Sequence, residues 1–284
     1  MSAFFGPAGN SQRFYDDGNK STWQMMAYLE NMGLNAYEYQ CGRGVSASDE
    51  TAKKVAEECV KYNIRISVHA PYFISLSSVE ESKRQGSIRY ILQSAELVKK
   101  LGGDRIVVHS GSCGKLSREV ALGYAKETVK SAIEALKAEG LSDVHMCLET
   151  MGKVNQLGNL DEVMALCELD DWLLPTIDFG HLNARDRGSI KTKEDYAYIL
   201  DTLKNRLGSD RVKVFHSHFS KIEYTDGGEK KHLTFEDDVF GPDFMPLAEL
   251  IAERELSPTI ICESAGTQTE DALAMMNMYK KCLR

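Results

Sequence analysis

No two cysteines in this chain stand close enough to make a metal knuckle. The seven occur singly, at Cys41, Cys59, Cys113, Cys147, Cys167, Cys262 and Cys282. An odd count without a CxxC pair argues against both a disulfide framework and a cysteine zinc site, and it suits a reducing compartment, the cytoplasm. No apolar run approaches the length of a membrane span. The opening "MSAFFGPAGNSQRF" has neither the basic start nor the long apolar stretch of a secretory signal. Low-complexity linkers and short-period repeats are missing too. "GSCGK" (111–115) is too short for a phosphate-cradling P-loop, "DFG" (178–180) stands without any other kinase element, and no nucleophile elbow occurs. Positive charge is in deficit, 34 Lys and Arg against 42 Asp and Glu, for a net charge of −8. That is not the coat of a general nucleic-acid binder. It leaves room for a carboxylate-rich metal site beside a locally basic face.

What is present is ordinary globular composition, 43% hydrophobic and 27% charged over 284 residues. Eight short β-favouring runs recur at 3–8, 35–41, 65–72, 104–110, 144–150, 173–181, 212–219 and 259–264. Segments of helical period lie between them. "SDETAKKVAEECVKYN" opens on Ser48 and Asp49 and aligns Val55, Cys59 and Tyr62 on one stripe. "GSIRYILQSAELVKKLGG" ends in two glycines, Gly140 stops the next helix, and the last, "TEDALAMMNMYKKCLR", runs from an acidic cap to a basic end. Eight strand–helix units in series predict an α/β fold, a (β/α)8 TIM barrel in one domain over 1–284, with a doubly wound open sheet as the alternative. A barrel places functional residues at the C-terminal ends of its strands.

Those ends carry the metal-capable side chains. His69 closes the third run, His109 the fourth, Glu149 the fifth, Asp178 and His181 the sixth, His216 and His218 the seventh, and Glu263 the eighth. Taken singly, a buried histidine is usually a satisfied core residue, and a lone glutamate half of an ion pair. Six consecutive strands delivering such groups to one rim point instead to metal, because a buried carboxylate is costly unless paired or ligating. Histidine with carboxylate and no thiolate favours Zn²⁺, with Mn²⁺ or Fe²⁺ as alternatives, and disfavours Ca²⁺. The donors are too many for one tetrahedral ion. Two or three ions sharing a bridging carboxylate would clamp a phosphate.

Several of these stretches resemble the endonuclease IV family, zinc-dependent apurinic/apyrimidinic endonucleases within the xylose-isomerase-like barrels. They are "VHAPYF" (68–73), "VVHSGS" (107–112), "CLET" (147–150), "IDFGHLNA" (177–184) and the opening "FGPAGNS". The likeness covers nearly the whole chain. It implies incision of DNA 5′ to an abasic nucleotide by an ion-activated water, leaving a 3′-hydroxyl, with the lesion flipped out of the duplex. It further implies a first ion on His69 and His109, Glu149 as bridge, a second ion completed by Asp178, His216 and Glu263, and His181 on a third. Glu149 and Glu263 become the carboxylates on which the reaction depends. Tyr72 and Phe73 stand where the family pushes side chains into DNA, and Arg43 in "CGRGV" is a candidate probe. Abasic DNA is the expected partner and no membrane is; a monomer is expected.

The chain departs from that pattern after the seventh strand. The family's Asp-x-His pair for the third ion lies about thirteen residues beyond the strand-seven histidine; counted from His216, that lands on Glu229 and Lys231, with His232 one residue away. His218, Glu229 and His232 are therefore the candidates for a rebuilt third site. Sugar isomerases and epimerases of the same scaffold resemble the chain in Glu149, Asp178, His216 and Glu263, a one-ion site for a sugar or sugar phosphate. Tagatose-type epimerases add a glutamate and an arginine at positions that here are Asn155 and Ile222. A non-catalytic metal- or phosphosugar-binding barrel is the third reading.

Overall fold

The computed structural model describes residues 3–283. In chain order the strands are β1 (Phe4–Pro7), β2 (Ala36–Gln40), β3 (Arg65–His69), β4 (Arg105–His109), β5 (His145–Glu149), β6 (Leu174–Asp178), β7 (His216–Phe219), β8 (Ile222–Thr225), β9 (Gly228–His232) and β10 (Thr259–Cys262). The helices are α1 (Gln12–Asp16), α2 (Met25–Met32), α3 (Asp49–Tyr62), α4 (Glu81–Lys100), α5 (Arg118–Ala138), α6 (Leu160–Cys167), α7 (Phe179–Arg185), α8 (Lys193–Leu207), α9 (Ser209–Lys213), α10 (Met245–Glu253) and α11 (Gln268–Cys282). Eight strands form one parallel sheet in the order β1-β10-β7-β6-β5-β4-β3-β2. β8 and β9 make a separate antiparallel hairpin.

The sheet curls until β1 meets β2, where the Gly9 amide donates to the Glu38 carbonyl at 2.9 Å and Ala8 bridges Glu38. This is the TIM barrel, and closure disposes of the open-sheet alternative. Gly6 makes that seam possible, since a β-carbon there would stand 1.7 Å from the Ala36 carbonyl oxygen. The helices form as their caps and stripes dictate. Ser48 accepts from the Thr51 amide at the start of α3, which buries Ala52, Val55 and Cys59 and ends at Asn63 in the left-handed region. Along α4 the residues Ile88, Ile91, Ala95 and Val98 recur every three or four positions and face the sheet. No helix among the described residues is long and apolar enough to cross a membrane.

Two expected boundaries move. Residues 212–213 belong to α9, so β7 begins at His216, and 179–181 open α7 rather than extending β6. The charged, glycine-containing stretch after β7, expected as a loop, is the β8–β9 hairpin, turned by Asp226-Gly227. Most apolar burial lies between sheet and helices. Within the barrel a small separate cluster of Val107, Cys147 and Leu174 remains, and buried polar groups such as Glu38, Ser67, Arg105, Thr176 and His216 share the interior with it.

Candidate metal centre

The sequence logic of each strand brings its last inward residue to the rim. His69, His109, Glu149 and Asp178 terminate β3 to β6, and Glu263 follows β10 directly. Asp178 also caps α7: its Oδ1 accepts from the His181 amide at 2.7 Å. One turn of helix then sets the His181 ring over the rim, with Nδ1 3.1 Å from Asp178 Oδ2. The Asp-x-x-His spacing is thus an N-cap spacing put to a second use.

Three imidazoles are held by their Nδ1 side. His69 Nδ1 stands 2.7 Å from the Ala70 carbonyl oxygen, His181 Nδ1 3.0 Å from the Thr150 carbonyl oxygen, and His232 Nδ1 2.8 Å from Ser220 Oγ. The carbonyls at His69 and His181 require a proton on Nδ1, so each ring, once neutral, offers its Nε2 lone pair to the centre. The free nitrogens approach carboxylates without hydrogen-bond alignment. His69 Nε2 and His109 Nε2 lie 3.4 and 3.2 Å from Glu149 Oε2, and His181 Nε2 lies 3.6 Å from Glu229 Oε2. Two donors each about 2.1 Å from a tetrahedral ion sit roughly 3.4 Å apart, so these separations fit shared cations. Glu149 Oε2 and Asp178 Oδ2 are fully buried with no hydrogen-bond partner. The donor set and its orphaned oxygens therefore fit divalent metal.

The electrostatics agree. Burial would raise the Glu149 carboxyl, but His218 and His109 outweigh it and hold it well below the usual range. Burial, aided by the charges of Glu263 and Glu149, pushes Asp178 up to about 6. Glu263 is lowered: burial opposes ionisation, and His218 and His232 overcome it. Burial disfavours charge on His69, yet Glu149 and Glu38 raise it to about 9. Carboxylates crowded this closely call for cations among them.

At β7 the expected assignment is corrected. His216 does not reach the rim. It lies one inward layer lower, with Nε2 2.9 Å from Glu38 Oε2, and burial pushes it down to about 4. His218 occupies the place given to His216: its Nδ1 stands 3.2 Å from Glu149 Oε1 and 3.5 Å from Glu263 Oε1. Both histidines point inward, as a spacing of two requires; β7 runs one residue beyond His218, to Phe219, and so puts His218 at the rim.

The hairpin supplies the third cluster. Tyr224 pairs with Glu229 but Glu223 with Lys231, so Lys230 is an extra, unpaired residue, a β-bulge. Residues three apart on a regular strand face opposite ways. The bulge restores the parity, and Glu229 and His232 face His181 together, with 3.9 Å between His232 Nε2 and Glu229 Oε1. Lys231 turns away and pairs with Glu223 at 3.2 Å. Gly152 lets the hairpin dock: its carbonyl accepts from the Glu229 amide, and a β-carbon on it would lie 2.7 Å from Glu229 Cβ and 2.9 Å from the His181 ring.

Over these groups opens a cavity of about 320 Å³, with Tyr72 and Lys153 in its wall. Tyr72 is 62% and Phe73 44% exposed, their rings edge to face, so neither lids the barrel core. Arg43 is exposed in the loop after β2, outside the cavity, beside the Gly42 backbone that packs on Tyr72. The residue the sequence reading missed is Glu38, wholly buried under the rim. A carboxylate in the strand "AYEYQ" was the available signal, by the same cost of burial that singled out Glu149.

A barrel with a histidine–carboxylate rim defines a broad class, and comparison narrows it. The family described as xylose isomerase-like TIM barrels matches residues 26–282, and the chain belongs to that family. An uncharacterised protein of Methanocaldococcus jannaschii is 35% identical over 254 residues, 89% of this chain and 90% of its own length. A probable endonuclease 4 of Enterococcus faecalis is 33% identical over 162 residues; these are 55% of this chain and 52% of the relative, about half of each. Among solved structures, endonuclease IV from Thermus thermophilus aligns over 100% of this chain and 99% of its own with a TM-score of 0.69 at 17% identity. A D-tagatose 3-epimerase-like protein aligns over 93% and 94%, also at 0.69, with 21% identity. At such identities the two structures speak for the fold alone.

Proposed function

We propose that this chain is a metal-dependent phosphodiesterase that cuts DNA on the 5′ side of an abasic nucleotide. The observation that carries the reading is a third cluster, His181 and His232 with Glu263, standing beside two others, with Glu229 Oε2 3.6 Å from His181 Nε2 and Glu229 Oε1 3.9 Å from His232 Nε2. His69, His109 and Glu149 would hold a first ion, and Glu149, Asp178, His218 and Glu263 a second. Divalent ions so held, zinc first among them, would activate a water, neutralise phosphate oxygens and stabilise the leaving alkoxide.

The chain's own groups do the rest. Glu149 turns one oxygen toward His69 and His109 and the other toward His218, the geometry of a bridge. The Nδ1 contacts of His69 and His181 keep those rings from rotating. Tyr72 and Phe73, exposed at the mouth, would fill the gap left by a flipped nucleotide, a stacking role in which an aromatic contributes ~1–3 kcal/mol per base. Lys153 in the cavity wall offers a cation to the phosphate.

The test is incision of a duplex carrying one stable abasic analogue by the metal-loaded chain. Cleavage 5′ to the lesion, lost in Glu263→Gln, is the expected result; an intact duplex with full metal occupancy would sink the reading. A one-ion epimerase is the second reading, favoured by the quartet of Glu149, Asp178, His218 and Glu263. Against it, Ile222 is buried in β8 and Asn155 is occupied with the Gly114 carbonyl, so neither supplies the acid or cation such chemistry needs. Turnover of a ketose without incision would favour that reading instead.

A further inference from the structure

Below the rim, Glu38 sits at the meeting point of four side chains. Its Oε2 accepts from Ser67 Oγ and faces His216 Nε2, each at 2.9 Å. Its Oε1 accepts from Gln40 Nε2 at 3.2 Å and stands 2.9 Å from His218 Nε2. An ionised carboxylate has about four lone-pair directions; Ser67, His216 and Gln40 take three, and His218 Nε2 stands near the fourth without hydrogen-bond alignment. Glu38, His216 and His218 are close enough to suggest a metal site of their own. The hydrogen bonds that Ser67 and Gln40 already donate to the two oxygens of Glu38 argue against one. So does His216 Nδ1, which is buried and unpartnered, so that His216 serves Glu38 through one nitrogen alone.

His218 is reversed relative to the other rim histidines. His69, His181 and His232 anchor through Nδ1 and offer Nε2. His218 offers Nδ1 to Glu149 and Glu263, and among the described residues Glu38 Oε1 is the group 2.9 Å from its other nitrogen, close but not aligned as a hydrogen bond. An imidazole that presented Nδ1 while protonated there could not ligate. Something must keep the proton on Nε2, and no backbone carbonyl does so.

We propose that Glu38 is a positioning residue for the metal centre, holding His218 in the tautomer that presents Nδ1 to the ion shared with Glu149 and Glu263, and that Ser67, Gln40 and His216 serve to hold Glu38. This rests on His218 being a ligand, as the proposed function has it. Carboxylates behind a ligating histidine typically govern metal affinity by roughly 10- to 100-fold.

Competition against a chelating dye and the visible absorption of the Co²⁺-substituted chain test it without substrate. Glu38→Gln keeps the shape but turns one acceptor into a donor. The middle ion should then bind roughly 10- to 100-fold more weakly, and the Co²⁺ bands should shift while the outer two ions hold. His216→Asn, a second variant should the first fail to fold, should keep the full metal count, whereas His218→Asn should lose one ion. Unchanged affinity and spectrum in Glu38→Gln would overturn the proposal. So would a larger loss of affinity in His216→Asn than in Glu38→Gln, or a fourth ion in the unaltered chain that disappears with Glu38→Gln. A chain that shows the Glu38 effect yet leaves abasic duplex intact would refute the nuclease reading and leave this one standing; a chain that binds no ion would refute both.

Discussion

A histidine acts as a ligand only when the ligating nitrogen has lost its proton, and a partner on the second nitrogen fixes which nitrogen that is. In the ion-free chain, burial weakens the proton on His69, but the carboxylates of Glu149 and Glu38 more than compensate and raise its pKa to about 9. A raised histidine pKa stabilises the fold fully below the unfolded value near 6.5, and that contribution fades as pH climbs through 9. Metal has to displace the same proton. Affinity should therefore rise about tenfold per pH unit for each proton displaced, up to about pH 9. Uptake of Zn²⁺ in weakly buffered solution at pH 7.5, followed with a pH indicator, should release protons. No release would mean that the histidines enter the reaction already neutral. Glu149→Gln removes the shared oxygen pair; metal analysis should find the first two ions weakened together and the third kept.

At the scale of elements, the centre depends on a hairpin and the loop it rests on. Deleting Lys230 removes the bulge and swings Glu229 or His232 to the outer face; Gly152→Ala pushes Glu229 off by steric contact. Each should cost one ion of the full set, counted by metal analysis, with the melting temperature of the ion-free chain little changed. The loop after β5 is held from below. Arg185 donates to the carbonyls of Met151 and Lys153, and Glu162 pairs bidentately with Arg118 at 2.6 and 2.7 Å while accepting the Gly158 and Asn159 amides. Burial opposes the Glu162 charge, but Arg118 and the two amides outweigh it and lower its pKa below the ordinary 4.5. A lowered carboxyl contributes stability above that ordinary value and loses it as pH falls through the depressed one. Glu162→Gln should thus cost about 1–3 kcal/mol at neutral pH, measured by urea melts, and the gap should close only in acid. The barrel itself was legible in the sequence because eight β runs alternate with helical stripes and the ligand types stop where strands stop. His216 and His218 could not be told apart by period, since both point inward; one layer of depth, about 6.6 Å, decides between them. Glu38 escaped notice because it lies below the rim that the barrel rule singles out. The bulge left no trace in "GEKKH", where either lysine could have been the extra residue.

For the whole molecule, the rim gathers Glu149, Asp178, Glu229 and Glu263 in or beside one buried pocket, so bound ions should stabilise the fold as well as serve chemistry. Chelation should lower the melting temperature by roughly 10 °C, as loss of ions held far above their dissociation constants would, and Zn²⁺ should restore it; an unmoved transition would mean the carboxylates are satisfied without metal. A net charge of −8 makes any grip on DNA local, carried by the mouth of the barrel rather than by its surface at large. The most direct test of the centre is the number and place of the ions: elemental analysis of the purified chain joined to anomalous diffraction at the zinc edge. Three ions per chain, one of them between His181, Glu229 and His232, is the expected result. A single ion among Glu149, Asp178, His218 and Glu263, with the hairpin cluster empty under excess zinc, would contradict it.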